Sequence, residues 1–171
     1  PEAGFFSDPE RRILDDGGVV VSPADGRVVS IAEVAGDTRF ADASIRVSIF
    51  LSPLDVHFNR MPVGGRVEGV QYRSGRFLAA YKEEASEKNE QNALTGIDEK
   101  GRFFAIVQIA GVLARRIVCW AKPGDNLKRG DRIGLIMFGS RTDLYLPREC
   151  RLEVNEGQRV KGGETILGRF V

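Results

Sequence analysis

The sequence predicts a mainly β fold of short strands, with a few short helices or long loops. Three observations carry that reading. Twenty glycines and seven prolines punctuate a 171-residue chain rich in β-branched side chains, a composition suited to short strands and tight turns. Several segments alternate apolar and polar residues with period two. The C-terminal third also repeats itself. Gly124-Asp-Asn-Leu127-Lys128-Arg-Gly130-Asp131-Arg-Ile133 returns 33 residues later as Gly157-Gln-Arg-Val160-Lys161-Gly-Gly163-Glu164-Thr-Ile166. Both copies read G-x-x-[LV]-K-x-G-[DE]-x-I. The glycines suit turns with positive φ, and the paired apolar positions return the chain to a core.

The elements follow in order. The opening PEAGFFSDPERRI reads as an irregular lead-in. Val19, Val20 and Val21 form a strand, closed by the turn Ser22-Pro23-Ala24-Asp25-Gly26, and residues 27–34 form the next, so the turn is a hairpin-like corner. Residues 45–50 alternate with period two and end in Leu51-Ser52-Pro53; residues 67–72 give a further short strand. The stretch KEEASEKNEQN, 82–92, is polar throughout without an apolar stripe and is expected to be a long loop. Strands return over 103–110 and 114–120. The run Leu135-Ile136-Met137-Phe138 then stops at Gly139-Ser140, and a second apolar segment begins almost at once. The length fits one domain with a proper core.

Composition narrows the chemistry. A formal charge of +1 argues against a nucleic-acid binder working by bulk electrostatics. Cys119 and Cys150 lack CxxC spacing and suggest a reduced compartment. His57 is the single histidine, so a zinc site built on two or three histidines is ruled out, and no metal site is expected. There is no GxSxG elbow, P-loop or GxGxxG motif in a strand-to-helix setting. No stretch reaches the ~18 apolar residues of a membrane span. The chain begins with Pro1 instead of Met, so an upstream anchor or targeting segment is expected.

Three places could carry chemistry. The Gly139-Ser140 pair is explained by a turn in which serine bonds the local backbone. It also suits a serine hydroxyl attacking the carbonyl of its own preceding peptide, since glycine leaves that carbonyl unshielded and tolerates strain. The resulting ester splits by β-elimination into a chain beginning with dehydroalanine, which hydrolyses to a pyruvoyl group. In the second place, FLSPLDVHFNRMPVGG (50–65), His57 lies among Ser52, Pro53, Asp55, Asn59, Arg60 and Pro62, an unusual crowd for plain packing. The third is the turn SPADG (22–26), which structure alone explains; a functional Asp25 would have to sit beside His57 to orient its ring.

Taken together, VVSPADGRVV, FLSPLDVHFNRMPVGG, NEQN, QIAGVLARRIVCW and FGSRTDLYLP resemble the short prokaryotic form of phosphatidylserine decarboxylase, over nearly the whole chain and in the right order. FFSDPERR resembles that family's lead-in, and the internal echo resembles the half-motifs of biotinyl and lipoyl carrier domains, which implies a flattened barrel or sandwich of short strands. The resemblance implies a proenzyme that cuts itself between Gly139 and Ser140. Residues 1–139 would form a β chain and 140–171 an α chain, within one decarboxylase domain. Ser140 would become the pyruvoyl cofactor. Phosphatidylserine would condense with it as a Schiff base, lose carbon dioxide and leave as phosphatidylethanolamine. His57 would be the general acid, with a side chain whose ordinary pKa near 6.5 suits proton transfer at neutrality. Asp25 and His57 would assist cleavage by activating the Ser140 hydroxyl.

Two positions depart from the family pattern. Arg60 stands where many members have a second histidine, which leaves both steps to His57 or one to a carboxylate such as Asp55. FGSR replaces an LGST-type cleavage motif, which leaves the role of Arg141 open. Arg60, Arg115 and Arg116 are candidates for the lipid phosphate, although solvated surface charge explains each as well. The implied location is the cytoplasmic side of the cell membrane, peripheral or singly anchored, touching lipid through an apolar or basic face near Phe5, Phe6, Phe77 and Leu78. A homodimer stays open. The alternatives are a pyruvoyl decarboxylase of a soluble amino acid and a non-catalytic barrel-type binding module. The second lacks the MKM or DKA lysine of a carrier domain.

Overall fold

The architecture, taken from a computed structural model, is described for residues 18–36, 39–51, 58–112, 117–137 and 139–171. In chain order the strands are β1 (Val19–Val21), β2 (Gly26–Glu33), β3 (Ile45–Phe50), β4 (Phe58–Arg60) and β5 (Gly65–Arg73). A single turn of helix, α1 (Ala85–Lys88), precedes β6 (Gln91–Asp98), β7 (Phe103–Ile109), β8 (Ile117–Cys119) and β9 (Asn126–Leu127). The chain ends with β10 (Arg132–Ile136), β11 (Arg141–Leu146), β12 (Cys150–Leu152), β13 (Arg159–Val160) and β14 (Ile166–Phe170). The fold is mainly β, as composition and alternation predict, and its largest sheet is a curled half-barrel.

That sheet has eight strands in the order β13-β2-β3-β11-β7-β6-β5-β9, and two three-stranded sheets, β1-β14-β12 and β4-β10-β8, complete the fold. All these pairings are antiparallel. The corner at residues 22–25 is not a hairpin: β1 pairs with β14, whereas β2 pairs with β3 and β13. A proline and a buried Asp in the turn carry the chain from one sheet to another instead of folding it back on itself.

The core lies between the sheets. Val20, Val47, Ile49, Phe104, Ile106, Ile133, Leu144, Leu146 and Leu167 pack as one buried cluster drawn from all three. A smaller cluster, including Ala85, Val107, Ile109 and Tyr145, occupies the other face of the large sheet. Every residue of β11 is therefore buried. Leu144 and Leu146 enter the main cluster while Tyr145 joins the second, the two-residue period of a strand covered on both faces. Arg141 and Asp143 share Tyr145's face by the same alternation, so two charged residues are placed where each must find a partner.

The internal echo forms twice over. Each copy is a two-residue strand, a glycine turn and a five-residue strand: β9 and β10, then β13 and β14. Gly124, Gly130, Gly157 and Gly163 all have φ between 79° and 95°. Gly124 N–H donates to Val67 at 2.8 Å, as Gly157 N–H does to Val28 at 2.7 Å. Those acceptors expose a second echo: Pro23-Ala-Asp25-Gly26-Arg-Val28 and Pro62-Val-Gly64-Gly65-Arg-Val67. The two turns exchange hydrogen bonds, Val21 N–H to Pro62 O at 3.0 Å and Arg60 N–H to Pro23 O at 2.9 Å. The domain is thus built from two similar halves.

The polar stretch 82–92 is not a solvated loop. It contains α1 and the start of β6, and Ser86, Asn89, Gln91 and Asn92 are buried. Its side chains satisfy backbone and partner groups inside the protein. Asn89 Nδ2 donates to Leu78 O at 2.8 Å and to Ala110 O, and Gln91 Nε2 donates to Ser86 O at 3.0 Å and Asn89 O at 2.8 Å. Polarity alone pointed to solvent; fully bonded amides allow burial instead.

Candidate active site

Gly139 and Ser140 lead into β11 at one end of the large sheet. Gly139 takes φ +82°, a left-handed conformation favourable only to glycine among common residues. Leu51, just past β3, clamps both sides of the bond: its carbonyl accepts from Gly139 N–H at 2.8 Å, and its N–H donates to Ser140 O at 3.0 Å. Ser140 is fully buried, and its hydroxyl donates to the Met137 carbonyl three residues back. The local backbone bond expected of a turn serine is therefore present. In this resting arrangement the hydroxyl proton is engaged by Met137, and a proton acceptor must compete with that carbonyl before Oγ attacks.

The carbonyl of the Gly139–Ser140 peptide faces Gly111, where a side chain would collide with it. Glycines at 139 and 111 thus admit a close approach between the Gly139–Ser140 peptide and the chain leaving β7. Ala80 adjoins the same point, 3.3 Å from where a Cβ on Gly111 would lie.

A chain of buried amides joins the sequence motifs. Asn59 Nδ2 donates to Thr142 Oγ1 at 3.1 Å and reaches Pro23 O at 3.5 Å. Gln108 Nε2 donates to Asn59 Oδ1 and to Val118 O, both at 3.0 Å, and Asn92 Nδ2 donates to Gln108 Oε1 at 3.2 Å. One network thereby ties the turn at 22–25, the strand after His57, the NEQN and QIAG stretches and the strand after Ser140. Asn59 stands out in sequence among the residues around His57, and Asn92 and Gln108 lie within NEQN and QIAG, but their bonding to one another does not show in a sequence. Their signal was a polar residue interrupting an apolar strand, as Gln108 does in IVQIAG.

On the opposite face of β11, Arg141 is fully buried. Nη1 donates to Ala80 O at 2.9 Å and Lys82 O at 2.8 Å, and Nη2 donates to Ser86 Oγ. Nε lies 2.9 Å from Asp143 Oδ1, and Ser86 Oγ donates to Asp143 Oδ2 at 2.6 Å. Arg46 extends the cluster, 4.0 Å from Asp143 and bonded to Glu83. Burial works against the charged form of Glu83, but hydrogen bonds from Arg46 and Ser30 and the nearby guanidinium charges outweigh it, holding its pKa below the ordinary value. Arg141 thus fastens residues 80–86 to the strand that follows Gly139 and Ser140.

Asp25 is buried, its Oδ1 accepting from Gly162 N–H at 2.7 Å. The register pairs Arg27 with Phe50 and Phe50 with Arg141, so the strand after Asp25 lies two strand spacings, about 10 Å, from the strand after Ser140. The second copy of this turn carries Gly64 where the first carries Asp25, so the turn does not demand the carboxylate. Arg60 is no solvated surface charge: it is buried, with Nη1 donating to Gly130 O at 2.8 Å. His57, Asp55, Arg115 and Arg116 lie outside the described residues, as do Phe5 and Phe6. Leu51 and Phe58 are the described residues that flank the segment carrying Asp55 and His57. Leu51 is bonded to Gly139 and Ser140, and the Phe58 ring lies 5.9 Å from that of Trp120, tilted by 38°.

Exposed apolar side chains adjoin the same bond. Met137 lies two residues before Gly139, Val112 follows Gly111, and Tyr81 follows Ala80; each is more than a third exposed. Among the described residues no helix is long and apolar enough to cross a membrane.

A family model described as phosphatidylserine decarboxylase matches residues 3–168. The chain is 49% identical over 167 residues to the phosphatidylserine decarboxylase proenzyme of Carboxydothermus hydrogenoformans, covering 97% of this chain and 78% of that protein. It is 42% identical over 167 residues to the proenzyme of the same name from Desulfotalea psychrophila, covering 98% and 78%. The identity to that from Gluconacetobacter diazotrophicus is 49% over 169 residues, covering 97% and 75%.

Proposed function

The chain belongs to the phosphatidylserine decarboxylase family, and from that premise we propose that it cuts itself at Gly139–Ser140 and decarboxylates phosphatidylserine with the pyruvoyl group so formed. The observation that carries the proposal is the clamped bond: a left-handed glycine, a carbonyl lying against glycine, and a buried serine whose flanking amides are both held by Leu51.

Ser140 Oγ attacks the Gly139 carbonyl carbon; the C–N bond breaks and the hydroxyl proton passes to the freed nitrogen. Removal of the Ser140 Hα proton then expels the Gly139 carboxylate, and water converts the resulting dehydroalanine to the α-keto group with loss of ammonia. His57 is the proposed acid and base of these steps, with Asp25 assisting and Asp55 the carboxylate that would share the work. The residues fit the product, because the Ser140 carbonyl survives processing and the Leu51 N–H already donates to it. A pyruvoyl group supplies a carbonyl that takes up the substrate amine and accepts the electron pair released with carbon dioxide. Leu51 would hold the adjoining amide carbonyl, while the ladder of β11 with β3 and β7 keeps the α chain in place.

Tyr81, Val112 and Met137 supply an apolar rim suited to a bilayer surface. Arg115 and Arg116 are the proposed contacts for the lipid phosphate; Arg60, with a protein carbonyl as partner, is the weaker candidate. The test is carbon dioxide release from vesicles of phosphatidylcholine and phosphatidylserine, compared with free serine and with the Ser140→Ala protein. Turnover of the vesicle substrate alone, abolished by Ser140→Ala, supports the proposal. Turnover of free serine at an equal rate would move it to a soluble substrate.

A further inference from the structure

We propose that Gly111 is a positioning residue for self-cleavage, fixing the carbonyl that the Ser140 hydroxyl attacks; the inference rests on the reading that Gly139–Ser140 is the bond cut. A Cβ at position 111 would lie 1.9 Å from the Gly139 carbonyl oxygen and 2.9 Å from its carbon. The corresponding closest approach at Gly26 and Gly65, glycines that also face a neighbouring strand's carbonyl, is 2.2 Å. In place of that Cβ, Gly111 carries a hydrogen aimed at the oxygen. A Cα–Cβ bond of about 1.5 Å added to the 1.9 Å separation places Cα no more than about 3.4 Å from the oxygen, within the range of a Cα–H···O contact.

Attack by Oγ turns the Gly139 carbon tetrahedral and puts negative charge on this oxygen, whose direction must change little if the ring through Oγ is to close. The hydrogens of Gly111 limit its swing on one side and offer a weak positive edge. The approach has backing. Register pairs Ile109 with Arg141, Ala110 N–H donates to Glu90 O at 2.9 Å, and Asn89 Nδ2 donates to Ala110 O. Position 111 is therefore held from behind and cannot retreat to make room. A methyl group there must displace the Gly139 carbonyl instead, by about 1.1 Å to reach even a tight contact and about 1.5 Å to reach an ordinary one, and a misplacement of about 1 Å already costs about 100-fold in rate.

The experiment follows self-cleavage of freshly purified chain by denaturing electrophoresis and intact mass. It compares the unsubstituted protein with Ser140→Ala, Gly111→Ala and Gly65→Ala, the last a similar clash far from the bond. We expect Gly111→Ala to cleave about 100-fold more slowly while retaining a cooperative thermal transition, and Gly65→Ala to lose stability while cleaving at close to the unsubstituted rate. Cleavage of folded Gly111→Ala within about threefold of the unsubstituted rate overturns the inference, since a displaced carbonyl should cost far more. So does equal slowing by Gly65→Ala, which would assign the effect to stability. A second measurement leaves position 111 untouched: in Ser140→Ala protein labelled at glycine, one Gly111 Hα resonance should lie downfield of its partner through contact with the carbonyl. Equivalent Hα resonances overturn the contact even if Gly111→Ala does not fold. Failure of the unsubstituted chain to cleave refutes the self-cleavage reading itself, and the role of Gly111 with it.

Discussion

Replacing Arg141 by methionine in the Ser140→Ala background asks what holds the strand behind the proposed cleavage position, with the proposed processing removed from the measurement. Arg141 and Asp143 are both fully buried, so the substitution leaves a carboxylate inside the protein. Asp143 keeps the Ser86 hydroxyl at 2.6 Å and the Arg46 Nε at 4.0 Å; Ala80 O and Lys82 O lose their donor. Removing one member of a buried pair costs about 3–5 kcal/mol. The residual Arg46 charge favours the lower end, while the substitution also removes the hydrogen bond that Arg141 Nη2 donates to Asp143 Oδ2 at 3.3 Å. At about 2–4 °C per kcal/mol for a chain of this size, about 3 kcal/mol lowers Tm by about 6–12 °C. Urea and thermal unfolding, followed by circular dichroism, supply the assay. The double variant Arg141→Met/Asp143→Leu should recover most of the loss, because it leaves no unpaired charge. A single variant within about 0.5 kcal/mol of its parent, or a double variant worse than the single, would refute the reasoning.

Asp25→Gly installs the residue found in the second copy of the turn; loss of the Gly162 hydrogen bond should cost about 1–3 kcal/mol while self-cleavage slows far more, measured by melting and intact mass. Asn59→Leu breaks the amide chain at its junction, taking the side-chain donor from Thr142 Oγ1 and one of the two acceptors from Gln108 Nε2, so unfolding by urea should show a loss of about 2–4 kcal/mol. Glu83 contributes stability above the ordinary carboxylate range and loses it as pH falls through its lowered pKa. Glu83→Gln should therefore flatten the acid limb as pH falls below the ordinary glutamate range, and the difference should be small because the side chain is largely exposed and screened. Burial pushes the Cys150 thiol up to about 11, so a thiolate-directed reagent at neutral pH should leave Cys150 unmodified until the protein unfolds, as peptide mapping would report.

The strands were legible because alternation and turn residues are local signals. The glycine echo was legible because each copy needs the same positive-φ turns. The partner echo, PADGRV and PVGGRV, was within reach of the same self-comparison, but the different third residues of the two copies, Asp25 and Gly64, hid it. Residues 82–92 misled for a physical reason: polarity signals solvent only where bonds to protein are absent, and Asn89 and Gln91 find theirs in carbonyls brought by distant strands. Burial of Arg60 and Arg141 was equally invisible, since their partners lie 70 and 61 residues away along the chain. Ser140 could be singled out from Gly-Ser between apolar strands. That Leu51 and Gly111 frame its peptide depends on register, which a single sequence does not carry.

The central claim, that residue 140 becomes an electrophile by cutting its own chain, is met most directly by intact mass under denaturing conditions, with and without hydroxylamine. Two chains divided between Gly139 and Ser140 are expected, only the smaller gaining the mass of an oxime. A single chain of full mass, unreactive after prolonged incubation, would contradict it.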